Sequence, residues 1–600
     1  MVRDDQNYIE LLPDWAKELS RKYCSKTANL YCIHGNVRDF LPHRAYKGVF
    51  SFVKITDYIS DVIFGNRDII VFFDYSCGIT FSMPDMMVDY LETMHLLYKD
   101  ISPQDFCSRE ITKAFFYLEK YFTYIINNNI KNYYSEDIKQ KESLRIVLII
   151  DYAETVLPSC ELSMLGDTDR YSLVTINRWA EEPLFTREDV SIIMITENLS
   201  DINKRIVTSP YVIKIAIPFP DLATRFQFLN YLSQEDNRED VLLRCEHSLN
   251  IEKISRLTAG LNLSHIYQMV AQSYQEDSFI TRDFLIKRKE EIIESEGAGI
   301  LQFVNATHGL DFVAGHGFVK NRFREAVKAI SQGMNEALPM GYLISGPIGT
   351  GKSFLVSCFA NEIGIPMVRL CLFGQSSDNN KIMNMERLLN ILKAMSPVAV
   401  MIDEVDSILG RGSGRSKKDN SPLFSQIATF MGDTQYRGRI IWFLISNRPD
   451  LLPIDLKRQG RAEEHLALFY PETIEDKVNI FQTMQKKLGI KCTSVDFREI
   501  AKKISFDASG ADIESILVRA KMLALLSHRA MVTKEDLLKT IQDFIPPSYP
   551  YEIELQNLVA SMECTSKEMV PKKYRDMSRQ KLLSEIIEIK QILGEGHQCL

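Results

Sequence analysis

Eight residues just past the middle of the chain constrain it most. Gly346-Pro347-Ile348-Gly349-Thr350-Gly351-Lys352-Ser353 fits the pattern GxxxxGK[ST], directly after an apolar run, Gly341–Ser345, and before a helical pattern that begins at Phe354. Glycines let such a loop curl until successive backbone N–H groups point at one spot, and the helix that follows adds partial positive charge there. The loop therefore predicts a phosphate site, with Lys352 reaching β- and γ-phosphates and the Ser353 hydroxyl ligating Mg2+. A strand–loop–helix step also points to a fold class, a parallel sheet covered by helices.

The rest of the chain supports that class twice over. Short apolar, β-branched runs alternate with longer helical patterns in both halves. Strands are predicted at Leu30–His34, Ile69–Asp74, Ile146–Asp151, Ser191–Thr196 and Val212–Ile217, then at Gly341–Ser345, Met367–Leu370, Val398–Asp403, Ile440–Ser446 and Glu464–Leu468. Helices alone follow each set, over about 222–290 and 472–545. A chain of 600 residues exceeds one core, since single cores stop growing near roughly 250–300 residues. The expected division is an α/β domain over 1–220, a helical lobe and linker over 221–299, a second α/β core over 300–471, a small helical lobe over 472–547 and a helical extension over 548–600.

Two acids complete the chemistry. Val398-Ala399-Val400-Met401-Ile402-Asp403-Glu404 is an apolar strand that ends in a carboxylate pair, about fifty residues after the phosphate loop. Either acid alone is weak evidence. Beside the loop their roles become specific, with Asp403 binding Mg2+ through water and Glu404 activating the attacking water. The strand Ile440–Ser446 leads to Asn447, whose amide can hold that water opposite Glu404. This combination points to a nucleotide hydrolase using ATP and Mg2+.

At this point the chain resembles the AAA ATPase family. The resemblance rests on Gly346–Ser353, Asp403-Glu404-Val405-Asp406, Ser446-Asn447-Arg448-Pro449-Asp450, Lys457-Arg458-Gln459-Gly460-Arg461 and Ser509-Gly510-Ala511-Asp512, in that order, and covers about 305–547. It implies two P-loop-type parallel-sheet αβα domains, each followed by a small helical lobe. It also implies that Arg458 and Arg461 act as arginine fingers in a neighbouring subunit, within a hexameric ring. Gly510 and Ala511 resemble the residues that approach the nucleotide from the small lobe. The family's Asp-Ile-Gly-Gly, which holds adenine, reads here Phe312-Val313-Ala314-Gly315, so base contacts by Val313 and Ala314 are expected to be apolar and main-chain. Ala462-Glu463-Glu464 replaces the usual Phe-Asp-Arg.

Family remodellers grip a peptide with an aromatic–apolar–Gly loop after the second strand. Leu370-Cys371-Leu372-Phe373-Gly374-Gln375-Ser376 matches it in part, and a Phe buried at a strand end would look the same. The basic loop Gly410–Lys418 stands where the family has a second pore-facing loop, and reads more readily as a solvated loop.

The first half resembles the family weakly, as a domain that has lost its site. Ile146–Asp151 ends like the acidic strand, but Tyr152 follows where the Glu would stand. His34-Gly35-Asn36-Val37-Arg38-Asp39 lacks the glycines and lysine needed to wrap a triphosphate. An inactive-then-active tandem is similar to some bacterial and plastid members.

Composition narrows the partners. A net charge of −8 argues against a broad nucleic-acid-binding surface. Eleven scattered cysteines without zinc spacing read as reduced thiols. No window approaches 18 uninterrupted apolar residues, so no membrane insertion is expected and the expected compartment is the cytoplasm. The favoured reading is an ATP-driven remodeller of a protein client. A nucleotide switch without threading is the alternative, and a nucleic-acid motor or loader comes third.

Overall fold

The computed structural model describes residues 12–595, apart from 45–49, 66, 135–143, 235–240, 298, 305–307, 333, 372–377, 411–420, 494 and 547–548. The chain divides into two compact units, Met1–Lys289 and Glu290–Leu600.

The first unit holds strands β1 (Leu30–Gly35), β2 (Leu41–Arg44), β3 (Phe50–Val53), β4 (Ile69–Asp74), β5 (Gly78–Phe81), β6 (Ile146–Ile150), β7 (Val190–Ile195) and β8 (Val212–Ile217). Its main sheet runs β5-β4-β6-β7-β1-β8 and is parallel except for β5. Alternate residues of β6 feed opposite cores: Ile146, Leu148 and Ile150 join one apolar cluster, Val147 and Ile149 the other. Burial on both faces is why the strand reads as an unbroken apolar run. Helices Leu222–Leu232, Ile251–Leu257, Leu263–Gln275 and Arg282–Glu296 follow.

The second unit repeats the plan with β9 (Leu301–Phe303), β10 (Gly341–Ser345), β11 (Met367–Leu370), β12 (Val398–Ile402), β13 (Ile440–Ser446) and β14 (Glu464–Ala467). The order is β14-β10-β13-β12-β11-β9, with only β9 antiparallel. The ten predicted strands are all present. Asp151, Thr196, Asp403 and Leu468 fall just beyond their strands rather than inside them. The hairpin β2–β3 and the antiparallel edges β5 and β9 are additions to the predicted set, each strand being only three or four residues long.

Helices Ile474–Lys487, Phe497–Lys502, Gly510–Leu526 and Lys534–Asp543 form the small lobe around its own apolar cluster. Beyond it, Pro550–Glu563 and Arg579–Ile592 pack together through Leu555, Leu558, Leu582 and Ile586. Ala560 joins Ala467 and Phe469, which docks this section on the β14 edge. Among the described residues no helix is long and apolar enough to cross a membrane.

Candidate active site

Strand β10 leads straight into the loop Gly346–Gly351, and Lys352 and Ser353 open the helix Lys352–Ile363. Gly346 has a φ of 135°, and a Cβ there would fall 2.0 Å from the Leu468 carbonyl oxygen. Only glycine lets β10 turn this close to the end of β14. Gly349, at φ 83°, is pressed against Ser509, where a Cβ would sit 2.9 Å from the hydroxyl. The loop is thus clamped between the sheet and the small lobe.

Lys352 is buried, and its Nζ donates to the Gly346 and Pro347 carbonyls, each at 2.9 Å. Burial pushes its ammonium down to about 8, against the pull of Asp403, Asp406 and Glu404. The Ser353 hydroxyl donates to Asp403 Oδ2 at 2.7 Å, joining the loop to the end of β12. Arg369 stands 3.9 Å from the same carboxylate.

Glu404 follows with a left-handed backbone, φ 50°, and an exposed side chain. The turn is held by the Glu404 N–H donating to Asp403 Oδ1 at 3.0 Å and by the Ser407 hydroxyl donating to the Glu404 carbonyl at 2.9 Å. Asp406 then ties β12 to β13, accepting from the Ser446 hydroxyl at 2.8 Å and the Asn447 N–H at 3.2 Å. Asp406 is a positioning residue that in sequence stands only as one member of a motif.

At the other end of the loop a cavity of about 410 Å³ opens, within the range of small-ligand sites. Val313, Ala314, Phe354, Gly510, Ala511 and Met569 are among its lining residues. Val313 belongs to the core cluster of the α/β domain and Ala314 packs against the cluster of the small lobe. The Ser509–Asp512 capping box fixes the start of the helix that presents Gly510 and Ala511. The structure therefore gathers the loop, the Val313-Ala314 segment and the lobe residues around the cavity, and joins the acid pair to the loop through Ser353.

Arg458 and Arg461 lie outside the cavity lining. The Arg458 side chain is 57% exposed, with Asp455 3.4 Å away. Arg461 is turned inward, 12% exposed, and donates to the Asp455 carbonyl at 2.7 Å. The segments expected to face a pore, around Phe373 and over 411–418, lie outside the described residues.

The first unit keeps the same local geometry without the same groups. Gly35, φ 97°, ends β1, and a Cβ there would meet the Ile217 carbonyl at 2.5 Å, as Gly346 meets Leu468. Tyr152 repeats the left-handed φ of 50°, its N–H donating to Asp151 Oδ1 at 2.8 Å. The acid at the strand end is paired within the chain. Arg38 Nη1 donates to both Asp151 oxygens, at 2.7 and 3.0 Å, and the guanidinium lies 3.7 Å over the Tyr152 ring.

Asp39, 2% exposed, accepts from the N–H groups of Leu263 and Ser264 at 2.8 Å each and from the Ser264 hydroxyl at 3.0 Å. A carboxylate of the chain itself thus caps the lobe helix. Asp39→Ala is expected to destabilise this unit by about 2–4 kcal/mol, because a buried and a part-buried N–H group lose their acceptor. Thermal unfolding followed by circular dichroism checks it.

Three family models match the chain. They are AAA+ chaperone, N-terminal Rossmann-like domain over 5–218, AAA+ chaperone, second helical domain over 223–298, and ATPase family associated with various cellular activities (AAA) over 342–470. The chain is 25% identical over 385 residues to the AAA domain-containing protein ycf46 of Guillardia theta, covering 61% of this chain and 74% of the relative. It is 31% identical over 211 residues to the proteasome-activating nucleotidase of Pyrococcus abyssi, covering 34% of this chain. That match spans 52%, about half, of the relative's length. Two units of one sheet plan, each with a helical lobe, agree with these matches, and the chain belongs to the AAA+ ATPase family as a tandem member, with a chaperone-type first unit and an AAA module as its second.

Proposed function

We propose that the second unit binds Mg-ATP and hydrolyses it, and that an oligomeric ring of the chain, hexameric by family resemblance, uses the turnover to remodel a protein client. The observation that carries this reading is the 2.7 Å contact between Ser353 and Asp403, beside the buried Lys352 and the exposed Glu404. Ser353 and Asp403 are hard oxygen donors of the kind Mg2+ takes together with phosphate oxygens and water. Magnesium bound there would offset charge on the β- and γ-phosphates.

The residues of the chain do the rest. Loop amides and Lys352 hold the phosphates. Glu404 takes a proton from water, and Asn447, fixed through Asp406, orients that water. Lys352 now donates to two loop carbonyls, and a triphosphate would draw it off them and favour its charged form. Val313, Ala314, Gly510 and Ala511 line the space for the base and sugar.

The first unit takes no nucleotide in this reading, because its loop lacks the lysine and Arg38 and Asp39 are already engaged, by Asp151 and by the helix that starts at Leu263. It serves as a scaffold or client-selecting platform. Relatives named proteasome-activating nucleotidases support a protein rather than a nucleic acid as the client. The described cysteines are free thiols, which supports action in the cytoplasm.

Arg458 is the exposed candidate for a finger reaching into the next subunit. Arg458→Ala is expected to keep ATP binding and lose turnover by about 10³-fold or more. Phosphate release, measured beside equilibrium ATP binding, tests this. Wild-type turnover by Arg458→Ala would remove the finger and, with it, the main argument for a working ring.

A further inference from the structure

The section after the small lobe reads in sequence as a helical extension. Its contacts reach further. The Ile348 N–H, at the tip of the phosphate loop, donates to Gln556 Oε1 at 3.1 Å, from the helix Pro550–Glu563. On the other side of the loop tip, the Tyr470 hydroxyl donates to the Ile348 carbonyl at 2.8 Å. Both polar groups of this exposed residue are therefore held.

The loop 567–571 contributes differently. Met569 and Val570 line the cavity along with Val313 and Ala314. Met569 also packs against the apolar cluster that contains Val313. The loop is pinned rather than loose. Arg575 donates to the Val570 carbonyl through Nε at 3.1 Å and Nη2 at 2.9 Å, and to the Glu568 carbonyl at 3.2 Å. The Lys572 N–H donates to Glu472 at 3.2 Å.

The same section meets the turn after β13, where Arg448 is paired with Asp450 and with Glu595, at 2.8 Å, and Lys590 reaches Asp450 at 2.7 Å. That turn begins one residue after Asn447.

We infer that residues 549–595 are a working part of the nucleotide site, with Gln556 fixing the tip of the phosphate loop and Met569 forming the wall that covers the base. This rests on the ATPase reading above. Met569, Val570 and Pro571 give this wall an apolar stretch between Glu568 and Arg575, and the Val570 and Glu568 carbonyls are engaged by Arg575. It therefore recognises a flat ring by contact and shape, and a thioether suits an aromatic face. Covering the base adds affinity for the nucleoside part of the ligand only. Fixing the loop tip acts on the phosphates as well.

The test uses the full chain in a Glu404→Gln background, so that hydrolysis does not intrude, and titrates ATP and inorganic tripolyphosphate by calorimetry with Mg2+ present. Met569→Ala is expected to weaken ATP by about tenfold and to leave tripolyphosphate unchanged. Met569→Leu restores ATP binding, because the contact area returns. Gln556→Ala weakens both ligands by about three- to tenfold.

Parent-like ATP binding by both alanine variants overturns the inference alone. So does an equal loss of ATP and tripolyphosphate in Met569→Ala, which would mean that the loop merely supports the fold. A parent protein that binds neither ligand overturns the ATPase reading itself, and this inference with it.

Discussion

The 600-residue chain carrying Glu404→Gln is expected to bind Mg-ATP as the wild type does and to hydrolyse it at least about a hundredfold more slowly, since a positioned general base contributes 10²–10⁴-fold. The substitution keeps size and hydrogen bonding while removing the basic oxygen. The ties that shape the site do not use that carboxylate: the Ser353–Asp403 contact and the Asp406 bonds to Ser446 and Asn447 use other oxygens. The left-handed turn at Glu404 is held by its backbone N–H and carbonyl, not by its side chain. Binding and turnover therefore separate. The measurement is single-turnover phosphate release against equilibrium ATP binding, and normal steady-state turnover would remove Glu404 from the chemistry. The trapped complex is also the form in which a client should be retained, so it is the bait for identifying one.

The second large effect is expected at Lys352. Its ammonium is buried and returns two hydrogen bonds to the loop carbonyls. Removing a buried charge that faces phosphate costs about a hundredfold or more in affinity, because the phosphate loses its desolvated partner. Lys352→Ala should accordingly show no measurable ATP binding at concentrations that saturate the wild type, and no turnover. The two variants fail differently, one at binding and one after it. That difference distinguishes a damaged site from a damaged fold, and comparable melting curves for both would complete the distinction.

Much of this architecture was legible because its signals are local. A strand buried on both faces is apolar at nearly every position, so β6 and β12 announce themselves as unbroken runs and β10 and β13 as runs that end in a buried serine, Ser345 and Ser446. The phosphate loop and the Asp403-Glu404 pair are contiguous residues whose meaning depends on their own neighbours. The short antiparallel strands β5 and β9 carry no such pattern, and Pro42 argues against a strand where β2 pairs with β3.

The unread part of the site is the part assembled from distant residues. Gln556 meets Ile348 across 208 positions, Arg448 meets Glu595 across 147, and Asp39 meets Leu263 across 224. No spacing rule links such pairs. In the first unit, the missing lysine and glycines were readable as loss of a site. That Arg38 pairs with Asp151, and that Asp39 caps the helix at Leu263, was not.

The tandem therefore reads as one plan used twice, once with the phosphate-loop residues kept and once with them replaced. The most direct test is the number of ATP molecules bound per chain by Glu404→Gln protein at saturation. One per chain, lost when Lys352→Ala is added, is the result expected here. Two per chain, none, or one that survives Lys352→Ala would contradict it.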